Sequence, residues 1–239
     1  MKKKYKFTFR SKKIQLILDK LLLIQLVKRI HGRYWGVFGL AILLVLLSIC
    51  YAIARDSADW SVAISVFGTD TRTAPFFTAG LFFGGYGLWR WRNYLNRTTN
   101  NPGIITTLIT LTIVGLFMVA FMPLGWTHTV ETLHYIGFAL AGISMVLTVL
   151  ADFLLTKTKK SKNQKKWQIT RLISISIILI GLIITLLSTN RMNNILNLAL
   201  LGELLILIGY GLWIITKTYQ GEGRKTGVSK LLNKLVIIK

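Results

Sequence analysis

Six stretches of the chain are almost free of charge, at residues 34–54, 74–89, 104–126, 133–155, 172–188 and 195–215, and polar or basic segments separate them. A helix crosses a hydrocarbon core of about 30 Å with about 20 apolar residues, so the pattern predicts six transmembrane helices. The second and fifth stretches are the shortest. Two further segments alternate at helical spacing without being long or apolar enough to span. In the first, Ile14, Ile17, Leu18, Leu21 and Ile24 share a face, with Lys12, Gln15, Asp19 and Lys20 mostly opposite. Near the other end Val228, Leu231, Leu232 and Leu235 share a face, and Lys230 and Lys234 point away from it. Both suit helices that lie in a membrane interface. The expected architecture is an all-α polytopic integral membrane protein with interfacial amphipathic terminal helices. It divides into a basic arm at residues 1–33, a six-helix domain at 34–216 and a basic tail at 217–239.

Composition agrees with the pattern. The 239 residues are 53% hydrophobic and 16% charged, with a mean hydropathy of +0.55. A disordered chain is excluded by that apolar content. A disulfide-built secreted domain is excluded by the single cysteine, Cys50.

The net charge of +22 acquires a meaning once it is sorted by segment. Eleven basic residues precede Tyr34, three lie at Arg90, Arg92 and Arg97, seven fall within 157–171 and six follow from Lys217 onward. All but three of the 30 therefore flank the same side of a six-span arrangement. Arg55, Arg72 and Arg191 fall on the other side, against Asp56, Asp59, Asp70 and Glu131. Short loops rich in Lys and Arg stay in the cytoplasm, so both termini are expected there and the span count is even. Nucleic acid is not the expected partner, because the basic residues are spread over four segments of one leaflet instead of one reading module. Anionic inner-leaflet headgroups are the expected counter-charge, at about 1 kcal/mol per Lys or Arg near the surface. Protein partners are left open, with a partner-docking surface on the two amphipathic segments as the alternative to lipid anchoring. The run at 157–171, with Trp167 inside it, reads as a topological determinant. The expected location is a bacterial plasma membrane, with the first span retained: Ala52-Ile53-Ala54 has the form of a cleavage site, but the segment ahead of the apolar run is too long for a signal peptide.

Small residues recur at helical spacing. Gly80, Gly84 and Gly87 form a stripe in the second span, and Gly137 with Ala141 forms another in the fourth. Such stripes let helix backbones approach closely, and the two are expected to offer matching grooves for packing within the bundle. Gly85-Tyr86-Gly87-Leu88-Trp89 recurs as Gly209-Tyr210-Gly211-Leu212-Trp213. The expected reason is the taste of Tyr and Trp for the membrane interface, with duplication of a helical hairpin as the alternative.

Ionisable residues inside spans are costly and are functional candidates by default. Glu203 lies nine residues from Asn194, about 13 Å deep at ~1.5 Å per residue. His134 begins the fourth span, His128 and Glu131 lie just outside it, and Asp70 precedes Pro75, which is expected to start the second helix. Asp70, His134, Glu203, Glu131 and His128 are thus expected to line one outward-facing polar cavity. Asp152 is read as an interfacial residue beside the Lys157 cluster. No His-Glu-x-x-His, cysteine cluster, Gly-x-Ser-x-Gly or phosphate-binding glycine loop occurs. No catalytic residue, metal or cofactor is assigned.

The segments Ile64-Ser65-Val66-Phe67-Gly68-Thr69-Asp70 and Ala74-Pro75-Phe76-Phe77, the turn Pro123-Leu124-Gly125 with His134 after it, and Glu203-Leu204-Leu205 resemble a six-helix membrane superfamily. It comprises DRAM-type autophagy modulators, fungal suppressor-of-four-kinase proteins, GPI-anchor lipid-remodelling proteins and bacterial relatives. The resemblance covers residues 34–216. It implies six helices with cytoplasmic termini, an outer polar site at Asp70, His134 and Glu203, and a lipid-related task. Lipid binding, sensing or organisation is the leading expectation. A membrane hydrolase or lipid-remodelling enzyme using His134, and a proton- or ion-coupled transporter using Glu203, are the alternatives.

Overall fold

The structure is a computed structural model that describes residues 31–54, 63–98, 103–122, 127–157, 164–189, 198–220 and 224–225. Both amphipathic terminal segments lie outside these residues. Among the described residues six α-helices follow one another: α1 Trp35–Ile53, α2 Ala74–Thr98, α3 Gly103–Phe121, α4 His128–Leu155, α5 Gln164–Thr189 and α6 Ala199–Gln220. All but α2 are long and apolar enough to cross a membrane, which makes this a multi-pass membrane protein. A short 3-10 turn, Gly32–Tyr34, leads into α1, and a second, Ile64–Gly68, precedes α2. The two-residue strands β1 Thr156–Lys157 and β2 Arg224–Lys225 pair antiparallel, with Thr156 opposite Lys225.

Several helices outrun the charge-free stretches that predict them. α2 continues past Trp89 through Arg90, Arg92 and Arg97 because Leu88, Trp91 and Leu95, at i, i+3 and i+7, keep one face fully buried. The charged residues do not end the helix; they occupy its other faces. Pro75 is the second residue of α2, where its missing N–H would have lacked a partner anyway. Thr127 caps α4, its hydroxyl accepting the Val130 N–H at 3.3 Å, and so starts that helix ahead of the predicted span.

Packing is heaviest between sequence neighbours, α1 with α2, α3 with α4 and α5 with α6, while α2 also lies along α3. Each of the three hairpins crosses at a pair of small residues. A Cβ placed on Gly39 would lie 2.8 Å from the Cα of Gly87, one on Gly115 would lie 2.5 Å from the Gly137 carbonyl oxygen, and one on Gly181 would lie 2.7 Å from that of Gly202. Helices in lipid gain little from the hydrophobic effect and associate by such close contact. The two glycine stripes therefore serve different hairpins. Gly80 and Gly84 pack on Leu43 of α1, whereas Gly137 and Ala141 pack on Gly115 of α3, so the expected match between the α2 and α4 stripes does not occur.

α6 is the most enclosed of the apolar helices and α5 the least. Leu200, Glu203, Ile206, Tyr210, Trp213, Ile214 and Lys217 form its buried stripe. This corrects the reading of the repeated Gly-Tyr-Gly-Leu-Trp. Trp89 of the first copy is exposed as expected, but Tyr210 and Trp213 of the second are fully buried, with Trp213 edge-on to Trp91 at 5.4 Å. The two copies thus differ chiefly at the tryptophan: Gly87 and Leu88 are buried in the first copy too, while Trp89 is exposed and Trp213 is not.

Candidate functional site

The site forms where the Ile64–Gly68 turn rests on α6. Glu203 is 5% exposed, and its Oε2 accepts the Ile64 backbone N–H at 2.6 Å. The other end of the turn is fixed by Thr73, whose hydroxyl donates to the Phe67 carbonyl at 2.6 Å. Cys50 of α1 in turn donates its thiol to the Thr73 carbonyl at 3.5 Å. A loop segment is thereby tied to α1 and α6 by buried side chains at both of its ends.

Beneath this turn lies a cavity of about 80 Å³, lined by residues of the turn and of all six helices. Phe138, Gly142 and Met145 of α4 face Leu47, Ile64 and Glu203 across it, and Glu203 is its one ionisable lining residue. A Cβ added to Gly142 would meet nothing within 4 Å, so this glycine leaves open space in the wall. An apolar cavity of about 150 Å³ is known to stay dry and to take benzene. The smaller void here admits a few methyl or methylene groups and no headgroup. A second void of about 210 Å³ lies between α1, the turn and α6, lined by Leu44, Ser48, Tyr51, Phe67, Leu200 and Leu204. Ser48 and Tyr51 are exposed on the outer side of α1, so this groove opens sideways from the bundle. Leu47 and Ile64 line both voids.

The other expected site residues do not join Glu203. Asp70 pairs with Arg72 in its own loop, Oδ2 to Nη2 at 2.8 Å, and also accepts the Arg72 backbone N–H at 2.8 Å. The side-chain hydrogen bond from Arg72, then the backbone one, holds its carboxyl below the usual carboxylate range. His134 is 1% exposed, and its Nδ1 lies 2.6 Å from the Met122 carbonyl oxygen. A carbonyl only accepts, so Nδ1 carries the proton. Nε2 is buried with no hydrogen-bond partner among the described residues. His134 thus fastens the end of α3 to α4. His128 is exposed in the first turn of α4, and Glu131, half-buried there, faces the positive end of that helix. No three His, Cys, Asp or Glu side chains among the described residues converge as a metal site would require. The single polar cavity expected in the outer half of the bilayer is therefore replaced by an apolar one with a single acid. Residues at one depth on different helices meet only if their faces turn toward each other, and His134 turns toward α3.

At the opposite end of the bundle the structure assembles a cluster around Asp152 that the sequence did not reveal. Asp152 is 2% exposed, not interfacial. Lys217 Nζ donates to its Oδ1 at 2.6 Å, the Thr156 hydroxyl to Oδ1 at 2.7 Å and Trp213 Nε1 to Oδ2 at 2.9 Å. Arg171 Nη2 lies 3.4 Å from Oδ2 and donates to the Asp152 backbone carbonyl at 2.6 Å, and its Nη1 donates to that of Thr156 at 3.1 Å. One acid thus faces two cations, and the excess positive charge sits on the last carbonyls of α4, where the helix dipole favours it. Arg33 does the same for α6, donating from Nε to the Thr218 carbonyl at 2.5 Å. The sequence signal was present in two pairs at i, i+4, Asp152 with Thr156 and Trp213 with Lys217, which place each pair on one helix face.

No family model, no curated protein and no solved structure matches the chain.

Proposed function

We propose that the protein spans the membrane six times with both termini in the cytoplasm of a bacterial cell, and that it binds membrane lipid by a hydrocarbon chain in the cavity beside Glu203. The six-span count is supported by α2, whose 25 residues rise about 37 Å at ~1.5 Å each and which packs along both α1 and α3. Gly80, Gly84 and Gly87 within its apolar part pack on α1, and Gly85 and Phe82 pack on Phe117 of α3. The orientation is supported by Arg33, Arg171 and Lys217, which stand together at one end of the bundle, the end assigned to the cytoplasm by the loop charges. The proposal includes kinship with the six-helix superfamily that residues 34–216 resemble, and anionic inner-leaflet lipid as the counter-charge of the basic segments.

The observation that carries the lipid reading is the lining of the cavity. Apart from Glu203 and Thr185 it is wholly apolar, and it lies beside a groove that opens sideways between two membrane-length helices. A ligand that reaches such a place is one already dissolved in the bilayer. Native mass spectrometry of the gently extracted protein tests this. Wild type is expected to retain a lipid that Gly142→Leu loses, since the new side chain fills the void without meeting a neighbour at Cβ. Indistinguishable spectra, or no retained lipid in wild type, would remove the reading.

A further inference from the structure

Two voids of this size side by side would be unremarkable if unrelated side chains walled them apart, but here the wall is specific. Leu47 and Ile64 are the only residues that line both. Leu47 belongs to the body of α1, more than a turn from its nearer end, and cannot move without that helix. Ile64 begins the 3-10 turn, and its position is set by the hydrogen bond from its own N–H to Glu203.

We infer that Ile64 is a gate: the groove between α1 and α6 is the lateral route by which a lipid chain reaches the inner cavity, and Glu203 is the latch that holds the gate shut. This inference rests on the lipid reading above and adds the route and its control. Four features support it. The groove begins among exposed residues of α1 and ends at Ile64, with Phe67 and Leu204 along its walls. The two voids joined would offer about twice the ~150 Å³ that holds a benzene ring in an apolar core. The far end of the turn stays tied through Thr73 to Phe67, so release of Ile64 swings one end of the turn and leaves the other in place. Finally, the latch is an acceptor on a side chain and not a backbone carbonyl of α6, so it can let go without disturbing the helix ladder that α6 must keep in lipid. The occupant is the acyl chain of a bilayer phospholipid, because the groove faces outward between two helices whose length matches the hydrocarbon core. Its headgroup stays at the membrane surface, since neither void has polar lining enough to replace water around a phosphate.

Glu203 on this account is a positioning residue, and the experiment must separate position from charge. Purified protein is placed in phosphatidylcholine vesicles carrying a small fraction of phosphatidylcholine with a diazirine near the end of one acyl chain. Samples are irradiated at intervals, and the labelled residues are located by mass spectrometry. Labelling of Leu200 or Leu204 reports the groove, and labelling of Phe138 or Met145 reports the inner cavity. The rate of inner labelling is expected to rise about fivefold, the population change that accompanies ~1 kcal/mol, in both Ile64→Ala and Glu203→Ala. It is expected to stay at the wild-type rate in Glu203→Gln, which keeps an acceptor oxygen and loses the charge. Thr73→Val, which frees the other end of the turn, provides a second way to open the gate should Glu203→Ala fold poorly. Groove labelling with an inner rate that none of the opening variants changes would overturn the gate and leave the lipid reading standing. Equal inner rates in the Ala and Gln variants of Glu203 would overturn the latch. Inner residues that remain unlabelled in every variant would overturn the lipid reading itself.

Discussion

Asp152 and Glu203 are both carboxylates within helices, both almost wholly excluded from solvent, and they sit at opposite ends of the same bundle. Around Asp152 every direction is occupied by a donor: an ammonium, a guanidinium, an indole and a hydroxyl brought from α5, α6 and β1. Around Glu203 there is a backbone N–H from a loop and, on the other side, a void with apolar walls. Burial alone therefore does not rank two acids for function. A carboxylate whose surroundings are complete fixes the position of the helices that supply them. One whose surroundings are sparse leaves something free to move.

Removing each acid in turn is the sharpest way to break that contrast. Asp152→Ala strands Arg171 and Lys217 in a buried site, and losing one member of a buried ion pair costs about 3–5 kcal/mol. Thermal unfolding in detergent should show the largest loss for this variant. A milder loss than for Glu203→Ala would reverse the assignment of structural and functional acid. Glu203→Ala leaves one buried N–H without its acceptor, a cost of about 1–3 kcal/mol, and Glu203→Gln should restore most of it in the same assay. Arg72→Ala is expected to change least. Asp70 is held below its ordinary value by Arg72, so whatever the pair contributes is present above the unfolded-state value and is lost as pH falls through the lowered one. The variant should return the Asp70 titration toward the ordinary carboxylate range by NMR while lipid retention stays as in wild type. Loss of bound lipid in that variant would bring Asp70 back into the site.

Periodicity and charge carried the architecture because both act locally along the chain. The six charge-free stretches each contain the apolar body of a helix, and the Leu88, Trp91 and Leu95 stripe could have extended α2 to Thr98 had buried spacing been weighed above charge. What depends on the direction a helix face points was not legible. Glu203 could be found by depth, yet nothing in the sequence turns it toward Ile64 and turns His134 toward Met122. The second Gly-Tyr-Gly-Leu-Trp looks interfacial by composition and is buried because α5, α1, α4 and the Ile64–Gly68 turn pack on α6 and Trp91 of α2 meets its Trp213. Asp152 was misplaced for a related reason. Its nearness along α4 to the Lys157 cluster suggested the interface, while all of its side-chain partners except Thr156 come from 19 or more positions later.

That last separation bears on how the molecule is made. A chain emerging from the ribosome completes α4, with Asp152 at its end, before Arg171 has been synthesised and well before Trp213 and Lys217 exist. Each hairpin can close on its own glycine crossing as it is inserted, but the acid waits through the third hairpin for its ammonium and indole. Arg171 of α5 is its first cation, and its set of donors is complete only when Trp213 and Lys217 of α6 arrive. The clasp at Asp152 thus ties the last helix made to one made two helices earlier.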